Sequence, residues 1–237
     1  MAGFLNFYSF ILFTMASANL KILTLNTGGG MLLGGLVEIL KREKPALVLL
    51  QEINISSESL DIFVTKYGYT GIANIDNTDD RTLGTGVVFK QNLNVQVVAL
   101  EPCRLQLISL YGIDLLNVYA PSGNNGRGER REFYGEMLFR AVRINKTLPI
   151  IAGDFNCVLQ SIDTEANFEQ KKSPDLKDLV SLFNYSDAFR TLYPASREYT
   201  WSRPGCASSR LDRFYLPQFL INGLKSMSHH ASLLMID

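Results

Sequence analysis

Apolar runs of two kinds alternate along the chain, broken by glycines and short polar stretches. Leu20-Lys-Ile-Leu-Thr-Leu25 has the two-residue period of a half-buried strand, and Asn26-Thr-Gly-Gly-Gly30 ends it. Residues 31–44 place Leu32, Leu33, Leu36, Val37 and Leu40 at helical spacing ahead of Lys41 and Arg42, and Pro45 stops that helix. Ala46-Leu-Val-Leu-Leu50 is wholly apolar, as a strand covered on both faces should be, and Gln51 and Glu52 close it. Ser56-Ser-Glu-Ser59 caps a short helix to about Lys66. Strands are then predicted over 84–89, 95–100, 105–110 and 113–119, with connections short enough for an antiparallel meander. A Gly- and Arg-rich loop, 122–132, leads into a helix from about 130 to 145. The run Leu148-Pro-Ile-Ile-Ala152 follows and ends in Gly153-Asp-Phe-Asn156. After a charged loop over 160–172, Pro174 opens a helix to about Phe183, and late strands are predicted at 199–201, 209–216 and 231–235. No repeat, linker or low-complexity tract divides the chain, so one domain of helices and mixed sheets is the economical reading.

The strand that ends in Asp154 carries the most chemistry. Alternate residues of an extended segment point the same way, so Asp154 and Asn156 share a face while Phe155 packs on the other. A carboxylate that takes a proton beside an amide that donates to an oxyanion suits attack on a phosphate. Gly-Asp-x-Asn is equally a turn sequence, so this pair alone is evenly balanced between turn and site. Other strand-end polar residues change the balance: Asn26, Glu52, Tyr119, Thr200, Asp212 and His230. Each has an ordinary structural explanation. Asn26 suits a turn, Glu52 a solvated strand end, Tyr119 a core ring with its hydroxyl outward, Asp212 an ion pair with its flanking arginines. Together they supply what phosphodiester cleavage needs. Glu52, helped by Asn26, offers hard oxygen ligands for Mg²⁺. Asp154 or His230 can handle the proton of the attacking water, and Asp212 can fix the imidazole tautomer. Asn156, Thr200 and Tyr119 can donate to the phosphate. Arg127, Arg130 and Arg131 in the polar loop either touch DNA phosphates or are simply solvated.

Composition narrows the partners without naming them. The 237 residues are 46% hydrophobic and 19% charged, ordinary for a globular domain. Lys plus Arg and Asp plus Glu are each 23, so no global field favours nucleic acid, although a local basic strip is compatible with that balance. Three cysteines make neither a disulfide framework nor a zinc spacing, which points to an intracellular, reducing compartment. Residues 1–18 are apolar and lack Lys and Arg, and Ala16-Ser-Ala18 resembles a cleavage site. The missing basic flank argues against a signal peptide, and the length against a membrane span. The segment is therefore expected to be an extension outside a fold that spans 19–237.

The pieces Leu25-Asn26, Gln51-Glu52, Asn117-Val-Tyr-Ala-Pro121, Gly153-Asp-Phe-Asn156, Ser209-Arg-Leu-Asp212 and Ser228-His-His230, in this order, resemble the endonuclease/exonuclease/phosphatase superfamily. Tyr199-Thr-Trp-Ser-Arg-Pro204 with Ser209-Arg-Leu-Asp-Arg213 is similar to the apurinic-like endonuclease domain of non-LTR (LINE-type) retrotransposons. The resemblance implies a DNase I-like fold, a four-layer α/β sandwich with two central mixed sheets flanked by helices. It also implies Mg²⁺-dependent nicking of DNA, with Mn²⁺ as a substitute, in the nucleus and not at a membrane; no heptad or long apolar stripe suggests assembly, so a monomer is expected. Glu52 with Asn26 would hold the metal. Asp154 would align or deprotonate water, with Asn156 beside it. Tyr119 and His230 would contact the scissile phosphate, Asp212 would orient His230, and Thr200 and Ser228 would position DNA. The chain departs from the family at Ser228-His-His230, where an acid ordinarily precedes the last histidine. His229 there implies a weakened second metal position and an impaired or vestigial copy as the alternative, beside a phosphatase or phosphodiesterase of the same fold. The reverse transcriptase that family elements carry downstream does not follow, which reads as a truncated copy or an excised domain.

Overall fold

The computed structural model describes residues 6–15, 18–29, 33–76, 83–123 and 126–232. Along the first half the elements are β1 (Asn6–Met15), β2 (Ala18–Asn26), α1 (Leu33–Glu43), β3 (Leu47–Ile53), α2 (Ser57–Thr65), β4 (Tyr69–Asn74), β5 (Gly84–Lys90), β6 (Val95–Glu101), β7 (Leu105–Leu110) and β8 (Ile113–Tyr119). They continue with α3 (Arg127–Glu132), a π-helical stretch Phe133–Leu138, α4 (Phe139–Ile144), β9 (Ile150–Asp154), α5 (Phe168–Lys171), α6 (Pro174–Leu182), β10 (Tyr185–Asp187), α7 (Ala188–Leu192), β11 (Asp212–Pro217) and β12 (Leu224–Ser232). Two six-stranded sheets form, in the orders β12-β1-β2-β3-β5-β4 and β10-β11-β9-β8-β7-β6. Each is mixed: β2 runs parallel to β3 and β8 parallel to β9, while the other pairings are antiparallel.

Burial follows the strand period. Ile22, Leu47, Leu49, Val87, Ile108, Leu115, Ile150 and Phe214 interleave between the sheets. The outer face of the first sheet, with Leu23, Val48, Leu50 and Val88, is covered by Leu36, Ile39, Leu60 and Val64 of α1 and α2. The outer face of the second, with Leu116, Val118 and Ile151, is covered by Phe133, Leu138, Val142, Leu176 and Leu179. This is the four-layer α/β sandwich that the family resemblance implies. Strands 84–89, 95–100, 105–110 and 113–119 fall within a residue or so of prediction. Residues 199–201 do not form a strand and contribute only an isolated bridge between Trp201 and Ser209. The strand expected at 231–235 overlaps only the end of β12, and residues 233–237 lie outside the described residues. No described helix is long and apolar enough to cross a membrane.

The N-terminal segment corrects the sequence reading. Residues 6–15 lie inside the fold as β1, paired with β12 on one side and β2 on the other. Tyr8 packs into the outer cluster, while Ile11 and Phe13 enter the inter-sheet core. The absence of charge that suggests a leader is therefore the signature of a strand covered on both faces. Charge sits instead at its rim. The Tyr8 hydroxyl donates to Glu43 Oε1 at 2.9 Å, Arg42 Nη2 donates to that hydroxyl at 2.5 Å, and Lys21 Nζ reaches Glu43 Oε2 at 2.5 Å. Burial raises the Glu43 carboxyl, but hydrogen bonds from Lys21, Tyr8 and Arg42 outweigh it and hold the group at about 2, below its ordinary 4.5. A depressed carboxylate adds stability above its unfolded value and loses it as pH falls through the folded one. Glu43→Gln should thus cost about 1 kcal/mol at pH 7, roughly 2–4 °C in melting temperature. Wild-type and variant melting curves should converge as pH approaches 2.

Candidate active site

The functional side chains stand where both sheets end together. Asn26 closes β2, Gln51 and Glu52 stand near the end of β3, Tyr119 closes β8 and Asp154 closes β9, while Asp212 opens β11. Register fixes the neighbours: Asn26 faces Gln51, Tyr119 faces Asp154, and Asp154 faces Asp212. Beneath them a buried polar network joins the sheets. Thr24 Oγ1 donates to Gln51 Oε1 at 3.0 Å, Gln51 Nε2 to Asn117 Oδ1 at 2.7 Å, and Asn117 Nδ2 to the Leu50 and Gly86 carbonyls at 3.1 and 2.9 Å. Every member is satisfied from the opposite sheet or strand, so the network locks one sheet against the other directly under the site.

Two backbone devices aim the carboxylates. The register of β3 against β5 shifts between Gln51 and Ile53, leaving Glu52 as the extra residue of a bulge with φ 57°. Left-handed backbone in a non-glycine residue is strained, and a bulge re-aims the side chain it carries. Gly153 lies at φ 134°, and a Cβ there would stand 2.0 Å from the Val118 carbonyl oxygen. Only glycine lets β9 approach β8 so closely before Asp154.

Asn26 is the hinge of the cluster. Its Nδ2 donates to Glu52 Oε1 at 3.0 Å and to Asp154 Oδ2 at 2.7 Å. The other Asp154 oxygen accepts the Asn156 backbone N–H at 2.8 Å, and Asn156 Nδ2 donates to the Ala120 carbonyl at 2.8 Å. Burial, with repulsion from Glu52, raises the Asp154 carboxyl to about 6. Asp212 is raised well above its usual range by burial and then by Asp154. Burial first, and then Glu52, also push the Tyr119 phenol up to about 12, so it stays a donor at neutral pH. Thr200 Oγ1 accepts the backbone N–H groups of Leu211 and Asp212, both at 2.9 Å, which makes Thr200 a positioning residue for Asp212.

The structure assembles Asn26, Glu52, Tyr119, Asp154, Asn156, Thr200 and Asp212, and it leaves the histidines elsewhere. His230 is exposed on β12, stacked on Tyr8 and Phe10 with ring centroids 5.3 and 5.4 Å apart. Ser228 shares that strand face, opposite Phe10 in register. His229 turns inward instead, its Nδ1 2.6 Å from Ser9 Oγ and its ring against Phe189. The expected pairing of Asp212 with His230 is therefore absent. Strand alternation puts residue 230 on the outer face, and β1 separates β12 from the strand that carries Asn26. Arg127 and Arg130 are also engaged otherwise. Arg127 Nη2 donates to the Glu169 and Gln170 carbonyls, and Arg130 Nη1 to those of Pro121 and Gly123. They wall a recess of about 570 Å³ with Arg131, Lys172 and Ser173, so their role in the described residues is to hold the loops beside the site.

Sequence reasoning missed three contributors. Arg104 lies with its guanidinium 4.6 Å from the Tyr119 ring centroid, and pairing Leu105 with Val118 across the predicted meander would have brought it there. Asp163 and Asp187 take Arg210 at 2.9 and 2.7 Å in a buried ion cluster, so the Ser-Arg-Leu-Asp-Arg motif buries its first arginine to anchor Asp212. Their partnership spans loops, and no local pattern announces it.

These donors fit a hard divalent cation. The oxygens of Glu52, Asp154 and Asp212 repel one another, and Asp212 Oδ1 is buried without a hydrogen-bond partner among the described residues. Among the described residues no three acidic, histidine or cysteine side chains form a ready-made cage. An ion would thus be held chiefly by Glu52, with Asn26 beside it, and would keep several waters. Millimolar Mg²⁺ or Mn²⁺ should raise the melting temperature of the wild type, and Glu52→Ala should abolish that shift, as scanning calorimetry would show.

The sequence matches the model of the Endonuclease/Exonuclease/phosphatase family over residues 23–226. The chain belongs to this family. Among solved structures it is similar to an AP endonuclease from Archaeoglobus fulgidus, with a TM-score of 0.71 and 20% identity over 86% of this chain and 88% of that one. It is also similar to the AP endonuclease LMAP from Leishmania major, at 0.64 and 19% over 92% and 81%. A third is the 3' phosphatase NExo from Neisseria bound to product DNA hairpin, at 0.70 and 16% over 87% and 90%. These likenesses establish the DNase I-like fold. The family match begins inside β2 and stops inside β12, so β1 and both histidines fall outside it.

Proposed function

We propose that this chain is a divalent-cation-dependent phosphodiesterase that nicks DNA, the reaction a non-LTR retrotransposon uses to open its target site. The observation that carries this reading is the strand-end cluster itself: Asn26 bridging Glu52 and Asp154, with Asp212 in register beside them and Tyr119 and Asn156 flanking. A bound cation would supply Lewis-acid stabilisation of phosphate charge. The chain's own residues do the rest. Asp154, raised toward neutrality, accepts the proton of the attacking water, and its two hydrogen bonds hold the carboxylate in one orientation. Tyr119 keeps its phenolic proton and, with the second N–H of Asn156, donates to the phosphate. Thr200 fixes Asp212, whose unpartnered oxygen faces the same cluster.

One observation favours a slower variant of this reading. Neither histidine reaches the cluster: His230 stacks on Tyr8 and His229 meets Ser9, so the imidazole expected to contact the phosphate is not at the site. The resemblance to the LINE-type domain supports DNA as substrate, and the motif Arg210-Leu-Asp-Arg213 lacks the Trp and Cys of the lipid-phosphatase signature. The test is product analysis on a labelled duplex carrying an internal phosphodiester target and a 3' phosphate. Internal cleavage in Mg²⁺ is expected. Release of the terminal phosphate with every internal bond intact would replace the nuclease by a phosphatase.

A further inference from the structure

A second recess, of about 560 Å³, opens at the opposite end of the first sheet, lined by Lys41, Lys44, Tyr67, Tyr69, Lys90 and Gln91 among others. Lys90 follows Phe89, which pairs with Leu47 at the start of β3, whereas Glu52 stands near the end of that strand. Five residues of rise separate the two ends by roughly 17 Å. The recess is thus too far away to contact the phosphodiester held at the carboxylate cluster.

Its chemistry is one-sided. The chain is neutral overall, yet among the described residues no acidic side chain lines this recess. Glu38 lies 3.4 Å from Lys41 in a pair whose partners are both exposed, and such pairs hold a lysine only weakly. An aromatic wall accompanies the charge. Lys41 Nζ stands 5.7 Å from the Tyr67 ring centroid, and Lys66 Nζ lies 5.2 Å from Tyr67 and 4.8 Å from Phe63. The floor is apolar, with Leu40 beneath and Tyr69 tied by its hydroxyl to the Pro45 carbonyl at 3.0 Å. A track of lysines beside an aromatic face is the combination that takes an unpaired polynucleotide: phosphates meet the ammonium groups and a base stacks on the ring. Duplex DNA offers phosphates but no free base face.

We propose that this recess binds single-stranded nucleic acid, its phosphates on Lys41, Lys44 and Lys90 and a base against Tyr67. The site is separate from the carboxylate cluster and does not rest on the nuclease reading. The measurement is fluorescence anisotropy of a labelled ten-nucleotide oligothymidylate with the full chain in EDTA, where hydrolysis does not interfere. Replacing all three lysines, as Lys41→Gln, Lys44→Gln and Lys90→Gln, is expected to weaken binding and to make the log–log salt slope shallower by about 2, the share of three phosphates on a single strand. Tyr67→Ala is expected to weaken binding roughly 5-fold or more with the slope unchanged, because stacking carries no counterions. The single change Lys44→Gln, on an exposed residue, keeps the test open if the triple variant melts early; its expected slope change is one third as large. Unchanged affinity and slope in the lysine variants would overturn the proposal. So would a duplex of the same length that competes as well as the single strand, since that marks an unspecific polyanion surface.

Discussion

Asp154→Asn is expected to lower the nicking rate by about 10³-fold while leaving the melting temperature no lower than that of the wild type. The two halves of this expectation come from one arrangement. Asp154 is buried, and it is pushed up to about 6 by desolvation and by the charge of Glu52. An ionised carboxylate in such company is repelled, and removing its charge relieves that repulsion. The amide keeps the shape of the side chain and can still accept the Asn156 N–H; it gives up the bond from Asn26 Nδ2, a loss that relief of the repulsion offsets. What it loses is the capacity to take a proton from water. Glu52→Ala should lose activity to a similar degree, since the side chain that the bulge aims at the cluster would be gone. A loss of rate together with early unfolding would point to a structural role for these carboxylates. Rate loss in a protein that melts normally is what a site made of mutually repelling acids should give.

The second large effect concerns β1. Deleting residues 1–17 should abolish cooperative unfolding or lower the stability by about 5 kcal/mol or more. The deletion withdraws Tyr8, Ile11 and Phe13 from the two cores they enter, each about 1.5–3 kcal/mol of burial. It also strips hydrogen-bonding partners from both β2 and β12 at once, because β1 lies between them. A domain of this size has only about 5–15 kcal/mol to lose. Urea unfolding followed by circular dichroism is the check. A truncated protein with the midpoint and slope of the full chain would show that β1 contributes nothing to the domain, and β2 would then have to find another neighbour.

These two regions mark the limits of what the chain discloses by its order of residues. The layers were legible because period and burial agree: Ala46–Leu50 is apolar on both faces and is buried on both, and α1 carries its apolar stripe toward the sheet. Glu52 and Asp154 were legible because each ends an apolar run, and strand ends of parallel neighbours meet in space; Asp212 instead opens a late strand, beside Asp154 in register. The histidines were not. Their face depends on whether residue 229 or 230 points inward, and a shift of one residue exchanges the two. That register is set by β1, whose own membership in the sheet no local pattern reveals, since an apolar segment without charge reads equally as leader or as central strand. Arg127 and Arg130 illustrate a different limit: composition announces guanidinium groups in a loop, but only the fold shows that they are spent on the carbonyls of Glu169, Gln170, Pro121 and Gly123.

The central claim is that the cluster of Asn26, Glu52, Asp154 and Asp212 hydrolyses DNA phosphodiesters with a divalent cation. Its most direct test is conversion of supercoiled plasmid to open circles by the purified full chain, β1 included, in Mg²⁺ and in EDTA, beside Asp154→Asn and Glu52→Ala. Open-circular product from the unaltered chain in Mg²⁺ alone, lost in both variants, is the expected result. Nicking that persists in either variant or in EDTA, or its absence from the unaltered chain in both Mg²⁺ and Mn²⁺, would contradict it.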